Sequence, residues 1–297
     1  MEIITRNVDL SSGDAESKRA EIKRYFNATW ELYERLFETL VSDDVFYERP
    51  QPLRHPLIFY FGHTAVFFVN KLMLDKQLAE RINPRFESLF AIGVDEMSWD
   101  DLDDARYDWP TVDEVRAYRN QVKAAVNDLI DRMEFTTPIG WDGPMWPVVM
   151  GIEHERIHLE TSSVLIRQLD LRFVKSSPLF PACPNFGPAP ANEWVDVPGG
   201  EVELGKSRVH RLYGWDNEYG AASFAVPAFR ASKYLVSNAE FLEFVEDGGY
   251  RSERWWSAEG RAWRTYHAAT APEFWRGEPG AYRLRLMTSE VPLPPNW

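Results

Sequence analysis

Cysteine is almost missing from this sequence: Cys183 is the single example in 297 residues. One thiol cannot form an intramolecular disulfide, and such usage fits a reducing compartment. Positive charge is also in short supply. Lys and Arg total 33 against 46 Asp and Glu, a formal net charge of −13. That balance argues against a nucleic acid or an anionic membrane surface as the main partner. The first fifteen residues lack the apolar stretch that a secretory signal peptide needs. Long apolar runs are lacking too. The longest, residues 56–69, is interrupted by Gly62, His63 and Thr64, and it is shorter than the ~20 residues that span a bilayer. These absences together give the expectation of a cytoplasmic protein.

What is present is the material of a core. Hydrophobic residues make up 44% and charged residues 27%, which suits a globular chain of about two domains. The spacing of Ile22, Phe26, Trp30, Tyr33, Phe37 and Leu40 predicts a helix over 17–41 with one apolar stripe. A second helix is expected from about Pro56 to about Lys76. It is apolar nearly all round, the mark of a central buried helix, and it carries His63. A capping box, Thr111 with Glu114, opens a third helix whose stripe is Val115, Tyr118, Val122, Ala125, Leu129 and Met133. A fourth helix is expected over 151–169. Four such helices predict an N-terminal four-helix bundle, in which the second and fourth, being the most apolar, face each other.

Between the second and third helices the chain is acidic, with Asp95, Glu96, Asp100, Asp101, Asp103, Asp104 and Asp108. The spacing does not fit an EF-hand loop, so a solvated acidic surface is expected. Residues 171–193 read as a linker, because Pro178, Pro181, Pro184, Pro188 and Pro190 prevent regular structure. Cys183 lies there, with no His or second Cys at a ligand spacing. After Trp194 the texture changes to short alternating segments around Val195/Val197, Val202/Leu204 and Phe224/Val226. A capping box at Ser237 and Glu240 opens one clear helix, which ends before Gly248-Gly249. This part reads as a loop-rich α+β domain.

The fourth helix carries His154 and His158, one turn apart on one face. Three readings stand open. The pair is hydrogen-bonded core; or His154-Glu155-Arg156-Ile157-His158 is the His-Glu-x-x-His of a zinc hydrolase with Glu155 as general base; or His63, from the facing helix, completes a three-histidine metal site. The hydrolase context is poor, because no third ligand follows at a metzincin spacing. Three imidazoles would leave three open positions on an octahedral metal, a donor set that suits ferrous iron as well as zinc. Glu160 points about 200° away from His158 and reads as outer shell or surface. His55 reads as a capping or surface residue. His210 and His267 have no identifiable partners.

The stretch Arg54-His55-Pro56-Leu57-Ile58-Phe59-Tyr60-Phe61-Gly62-His63-Thr64-Ala65-Val66 resembles the metal-binding helix of the sulfoxide synthases of thiohistidine biosynthesis. His154, His158 and Glu160 fit that family's His-x3-His-x-Glu motif. The runs at 214–218, 235–238, 248–250 and 256–260 are similar to a formylglycine-generating-enzyme, or sulfatase-modifying-factor, domain. The resemblance implies an α + (α+β) chain: a DinB-like four-helix domain at 1–170, the linker, and a partial sulfatase-modifying-factor-like domain at 194–297. It implies Fe(II) on His63, His154 and His158, with O2 as co-substrate. It implies cysteine and histidine as small-molecule substrates, the cysteine sulfur being joined to the imidazole carbon and oxidised to the sulfoxide. The C–S and S=O bonds together remove four electrons, the capacity of one O2.

Two further expectations follow from the resemblance. The phrases around His63 and the run Ile152 to Gln168 are most similar to the ovothiol branch, the 5-histidylcysteine sulfoxide synthases, and Ile157, where the ergothioneine branch often has Gln, favours it too. The family's second domain continues past the point matching Trp297, and its catalytic tyrosine is expected beyond that residue. The chain therefore reads as a truncated form, which leaves an inactive iron- or thiol-binding fragment as the alternative to an enzyme.

Overall fold

Asp14 opens the first helix of the computed structural model, which describes residues 3–91 and 107–297. Its carboxylate accepts from the Ser17 backbone N–H at 2.9 Å, satisfying one of the donors that every helix N-terminus leaves unpaired. Helix α1 (Ala15–Phe37) buries the whole stripe expected from the sequence, Leu40 included, although Leu40 lies past the helix end in a bridge to Val174. The second helix, α2 (Leu57–Leu74), is buried on almost every side. It runs beyond the apolar run seen in the sequence. At 18 residues it is long and apolar enough to cross a membrane, yet 72% of it is buried within its own unit.

A short helix that apolar periodicity did not mark, α3 (Pro84–Leu89), follows; Asn83 caps it and Glu87 accepts from the Ile82 and Asn83 backbone N–H groups. The expected acidic surface lies outside the described residues except for Asp108, which pairs with Arg85 at 2.6 Å. Helix α4 (Val112–Arg132) has the Thr111–Glu114 capping box. Its buried stripe takes Val126 and Ile130, and Ala125 is only half-buried. Helix α5 (Trp146–Gln168) starts five residues before the expected 151. Pro147 sits in its first turn, where a missing N–H costs nothing.

Around the bundle the neighbours run α1, α5, α2, α4, and the α2–α5 seam is the most extensive. Gly151 makes that seam close. A Cβ there would stand 2.2 Å from the Phe68 ring.

The chain divides into two units. The first comprises Met1–Lys175 together with Leu204–Ala222, and the second comprises Ser176–Glu203 together with Ser223–Trp297. The segment 204–222 thus leaves the region expected as the second domain and packs with the bundle.

In the second unit, strand β1 (Trp194–Val197) pairs antiparallel with β4 (Phe229–Ser232), in a register that sets Trp194 opposite Ser232. Strand β2 (Gly200–Leu204) lies beside β3 (Ala222–Val226). Strands β5 (Trp275–Arg276), β6 (Arg283–Arg285) and β7 (Glu290–Pro292) form an antiparallel sheet. Helix α6 (Asn238–Glu246) has the Ser237–Glu240 capping box, and α7 (Ala258–Tyr266) is capped by Ser257. Val245, Trp275 and Leu284 form this unit's small core, with Phe241, Leu242 and Tyr250 against it. The stretch 178–193, which holds the five expected prolines, carries no helix or strand, and Cys183 is exposed in it.

Candidate metal centre

Helix α2 presents His63, and α5 presents His154 and His158, across the close seam. One ring nitrogen of each lies within 4.8 Å of those of the others. The ring centroids are 4.4 Å apart for His154–His158, 4.7 Å for His63–His158 and 5.0 Å for His63–His154.

The surroundings hold each ring in place. His63 Nδ1 is 2.6 Å from the Phe90 carbonyl oxygen. A carbonyl only accepts, so Nδ1 carries the proton and the lone pair of the neutral ring is on Nε2. Phe59 stacks on His63, and Phe67 lies flat on His154 at 3.6 Å and 7°. Nδ1 of His154 and Nδ1 of His158 are buried and meet no hydrogen-bond partner among the described residues. A buried ring nitrogen without a partner is costly, and a metal ion relieves that cost. The donor set therefore fits a divalent transition metal.

Electrostatics agree. Burial, reinforced by His63, pushes His158 down to about 3. Burial first, and then the neighbouring His158, His63 and Lys71, hold His154 well below its ordinary value. Both rings stay neutral at physiological pH, the form that ligates metal.

The rings open into a cavity of about 740 Å³ that is also lined by Arg54, Lys71, Trp215, Asp216 and Asn217. Arg54 and Lys71 form no ion pair among the described residues. Trp215, Asp216 and Asn217 belong to the segment that joins the first unit. The run 214–218 is a motif in the sequence, but no helical period ties it to the bundle, so its place at the histidines is not legible there.

The other expectations fare differently. Glu155 is fully buried and pairs with Arg119 at 3.1 Å. Burial pushes its carboxyl up to about 7 against the pull of Arg119. It does not line the cavity, so it is not placed to act as a hydrolase base. Glu160 is exposed. His55 is neither a cap nor a surface residue. It is wholly buried, 4.4 Å from the Phe59 ring and edge-on to Tyr107 and Trp109, because α2 begins inside an aromatic cluster rather than at the surface. His210 and His267 are exposed and far from the cluster in role: His210 Nδ1 accepts from the Leu212 N–H, and His267 ends α7. The residue that sequence reasoning missed is Arg119. Its signal was a charge within an apolar stripe, at helical spacing from Val115, Val122 and Val126.

Comparison with known proteins adds the family context. A DinB superfamily model matches residues 25–162, and a sulfatase-modifying factor enzyme 1-like domain matches residues 181–277. The chain is a DinB-like helical domain followed by a sulfatase-modifying-factor-like domain. A hercynine oxygenase of Mycolicibacterium smegmatis is 32% identical over 261 residues, covering 85% of this chain and 56% of the relative. A hercynine oxygenase of Mycobacterium tuberculosis is 35% identical over 164 residues, covering 54% of this chain and 36% of the relative. Ergothioneine biosynthesis protein 1 of Neurospora crassa is 24% identical over 243 residues, covering 74% of this chain and 27% of the relative. The chain thus spans little more than half the length of the first of these relatives and less of the others. The names of these three relatives refer to hercynine and ergothioneine, whereas the ovothiol branch is the expectation from the sequence.

Proposed function

We propose that this chain carries the iron-binding half of a sulfoxide synthase of the ergothioneine type. The reaction joins the sulfur of a cysteine-type thiol to the imidazole carbon of hercynine, the trimethylated betaine of histidine, in the presence of O2. The observation that carries the reading is the convergence of His63, His154 and His158, in a chain whose relatives are named for that pathway.

His63, through Nε2, and His154 and His158, through their nitrogens facing the cluster, would hold Fe(II). When bound, the iron supplies the one-electron and O2 chemistry. The chain's own residues do the rest. Burial keeps the ligating rings neutral. Phe59 and Phe67 stack apolar rings on His63 and His154 and limit how those imidazoles can turn. Arg54 and Lys71 put positive charge on the cavity wall, where substrate carboxylates and a thiolate are attracted in a chain otherwise strongly negative. Trp215 and Asp216 offer an aromatic face and a carboxylate to a substrate's quaternary ammonium.

The test is anaerobic iron loading of the wild type and of His63→Ala, followed by cysteine, O2 and either hercynine or histidine, with mass detection of the conjugate. Iron uptake by the wild type and its loss in His63→Ala is expected, with the hercynine conjugate as product. A histidine conjugate in its place would return the reading to the ovothiol type. Iron and thiol binding without any conjugate would make the chain a binding module. Unchanged iron content in His63→Ala would overturn the ligand assignment.

A further inference from the structure

The histidine cluster is split between two helices. The spacing of His154 and His158 is set by α5 itself, but the approach of His63 depends on how α2 sits along and around α5. Something must fix that register to less than one residue's rise, about 1.5 Å.

Tyr33 on α1 bonds to both helices a turn away from the ligands, at Tyr60 O (2.8 Å) and Ser162 Oγ (3.1 Å), and a second side chain bonds to the residues directly beside them. Arg119 reaches in from α4 and is wholly buried. Its Nη1 donates to the Phe61 carbonyl and to Thr64 Oγ1, both at 2.8 Å. Its Nη2 donates to Glu155 Oε1 at 3.1 Å. Its Nε donates to Glu34 Oε1 on α1 at 3.3 Å. Thr64 directly follows His63, and Glu155 directly follows His154. Thr64 Oγ1 also donates to Glu155 Oε1 at 3.3 Å, closing a triangle across the seam. The guanidinium lies over Trp30 at 4.3 Å and Phe61 at 4.8 Å, so its plane as well as its charge is fixed.

We propose that Arg119 is a positioning residue for the metal site: it sets the register of α2 against α5 and so brings His63 to His154 and His158. The inference rests on the metal reading above. Geometry favours this role over simple neutralisation of Glu155. Neutralising one carboxylate needs one charge in reach. The fork instead reaches three helices besides its own, and two of its acceptors, Phe61 O and Thr64 Oγ1, carry no charge. A planar group with fixed donor directions can do this, whereas a lysine ammonium is a point charge on a flexible stem.

Two variants separate the roles. Arg119→Lys keeps the charge and loses the fork. Arg119→Met combined with Glu155→Leu removes both charges, so no ion is left buried alone and folding is protected. Thr64→Val removes one contact with little change of shape and serves where either of the others fails to fold. Each protein is first shown to be folded by far-UV circular dichroism. Co(II) is then titrated against a competing chelator, and its visible ligand-field bands are recorded.

The expected result is a loss of Co(II) affinity of roughly 10- to 100-fold in Arg119→Lys and in the double variant, the usual range for groups that orient ligands. A smaller loss is expected in Thr64→Val, with shifted bands in all three. A purely structural role would move the denaturation midpoint and leave the affinity and bands of the folded protein unchanged. Folded variants with wild-type affinity and bands would overturn the inference and leave the metal reading standing. A wild type that takes no Co(II) would overturn both.

Discussion

His63 Nδ1 lies 2.6 Å from the backbone carbonyl of Phe90, and the ring of that same Phe90 packs on the backbone of Gly62, one residue before His63. A Cβ at position 62 would meet Phe90 ring atoms at 2.8 Å. Glycine at 62 and the orientation of the His63 ring are therefore one feature. Gly62→Ala must displace Phe90 and with it the carbonyl that fixes the tautomer. Metal affinity is expected to fall about 10-fold or more, as when a ligand's hydrogen-bond partner is lost. Competitive Co(II) titration checks this, and an unchanged affinity would separate the ring's orientation from Phe90.

Much of the bundle was legible because its signals are local and periodic. The stripe from Ile22 to Leu40 and the Thr111–Glu114 box are read from residues a turn apart, and the structure contains both. The three histidines were legible for a related reason: a polar ring in an apolar helix stands out, and the two most apolar helices have to meet. What was not legible is what depends on contacts distant in sequence. His55 looked exposed because it precedes a helix, and its burial comes from Tyr107 and Trp109. Trp215 lies 47 residues beyond the end of α5, and nothing in its neighbourhood shows that the segment 204–222 packs with the bundle. Arg119 went unread within its stripe, because its partners on three other helices are distant in sequence.

The α2–α5 seam should be intolerant of volume. Phe68 occupies the space into which a side chain at 151 would grow, as close as 2.2 Å. Gly151→Ala is expected to destabilise by about 1–3 kcal/mol, the usual cost of overpacking a filled core. Adding Phe68→Leu should recover part of that loss by opening room on the facing helix. Urea denaturation of the two single variants and the double gives the coupling directly. Strict additivity would mean that the two positions do not share the space.

Acid should weaken the metal-free protein through the histidines. His158 is pushed down to about 3 in the folded state, against about 6.5 in an unfolded chain. Between those values the unfolded state binds the extra proton, so stability rises with pH across the window and is lost as pH falls below about 6.5. One such group contributes a slope of at most about 1.4 kcal/mol per pH unit. Glu155, pushed up to about 7, acts with the opposite sign between about 4.5 and 7, so the raw slope of the protein is a difference. Comparison with His158→Gln isolates the histidine. Between pH 7 and pH 5 the urea midpoint of the wild type should fall relative to that of the variant, because the variant has no imidazole to protonate. Parallel midpoints would show that His158 is not held neutral.

Trp215 should decide between a betaine and an ordinary amino acid. Its ring lines the cavity beside Asp216 and in the same space as the three histidines. A quaternary ammonium has no N–H to donate, so an aromatic face and a nearby negative charge are the groups that recognise it. A cation–π contact is worth about 0.5–2 kcal/mol, or a factor of roughly 2 to 30 in affinity. Trp215→Leu is therefore expected to weaken hercynine binding to the metal-loaded protein by that factor. Histidine, whose primary ammonium keeps its hydrogen bonds with Asp216 and water, should lose less. Lys71→Met provides the contrast: it removes a positive charge from the cavity wall that would attract the carboxylate common to both ligands, so it should weaken both alike and flatten their salt dependence. Calorimetric titration of both ligands into wild type and the two variants gives all the ratios. Equal losses for hercynine and histidine in Trp215→Leu would remove the indole from substrate choice and leave the distinction to another wall of the cavity.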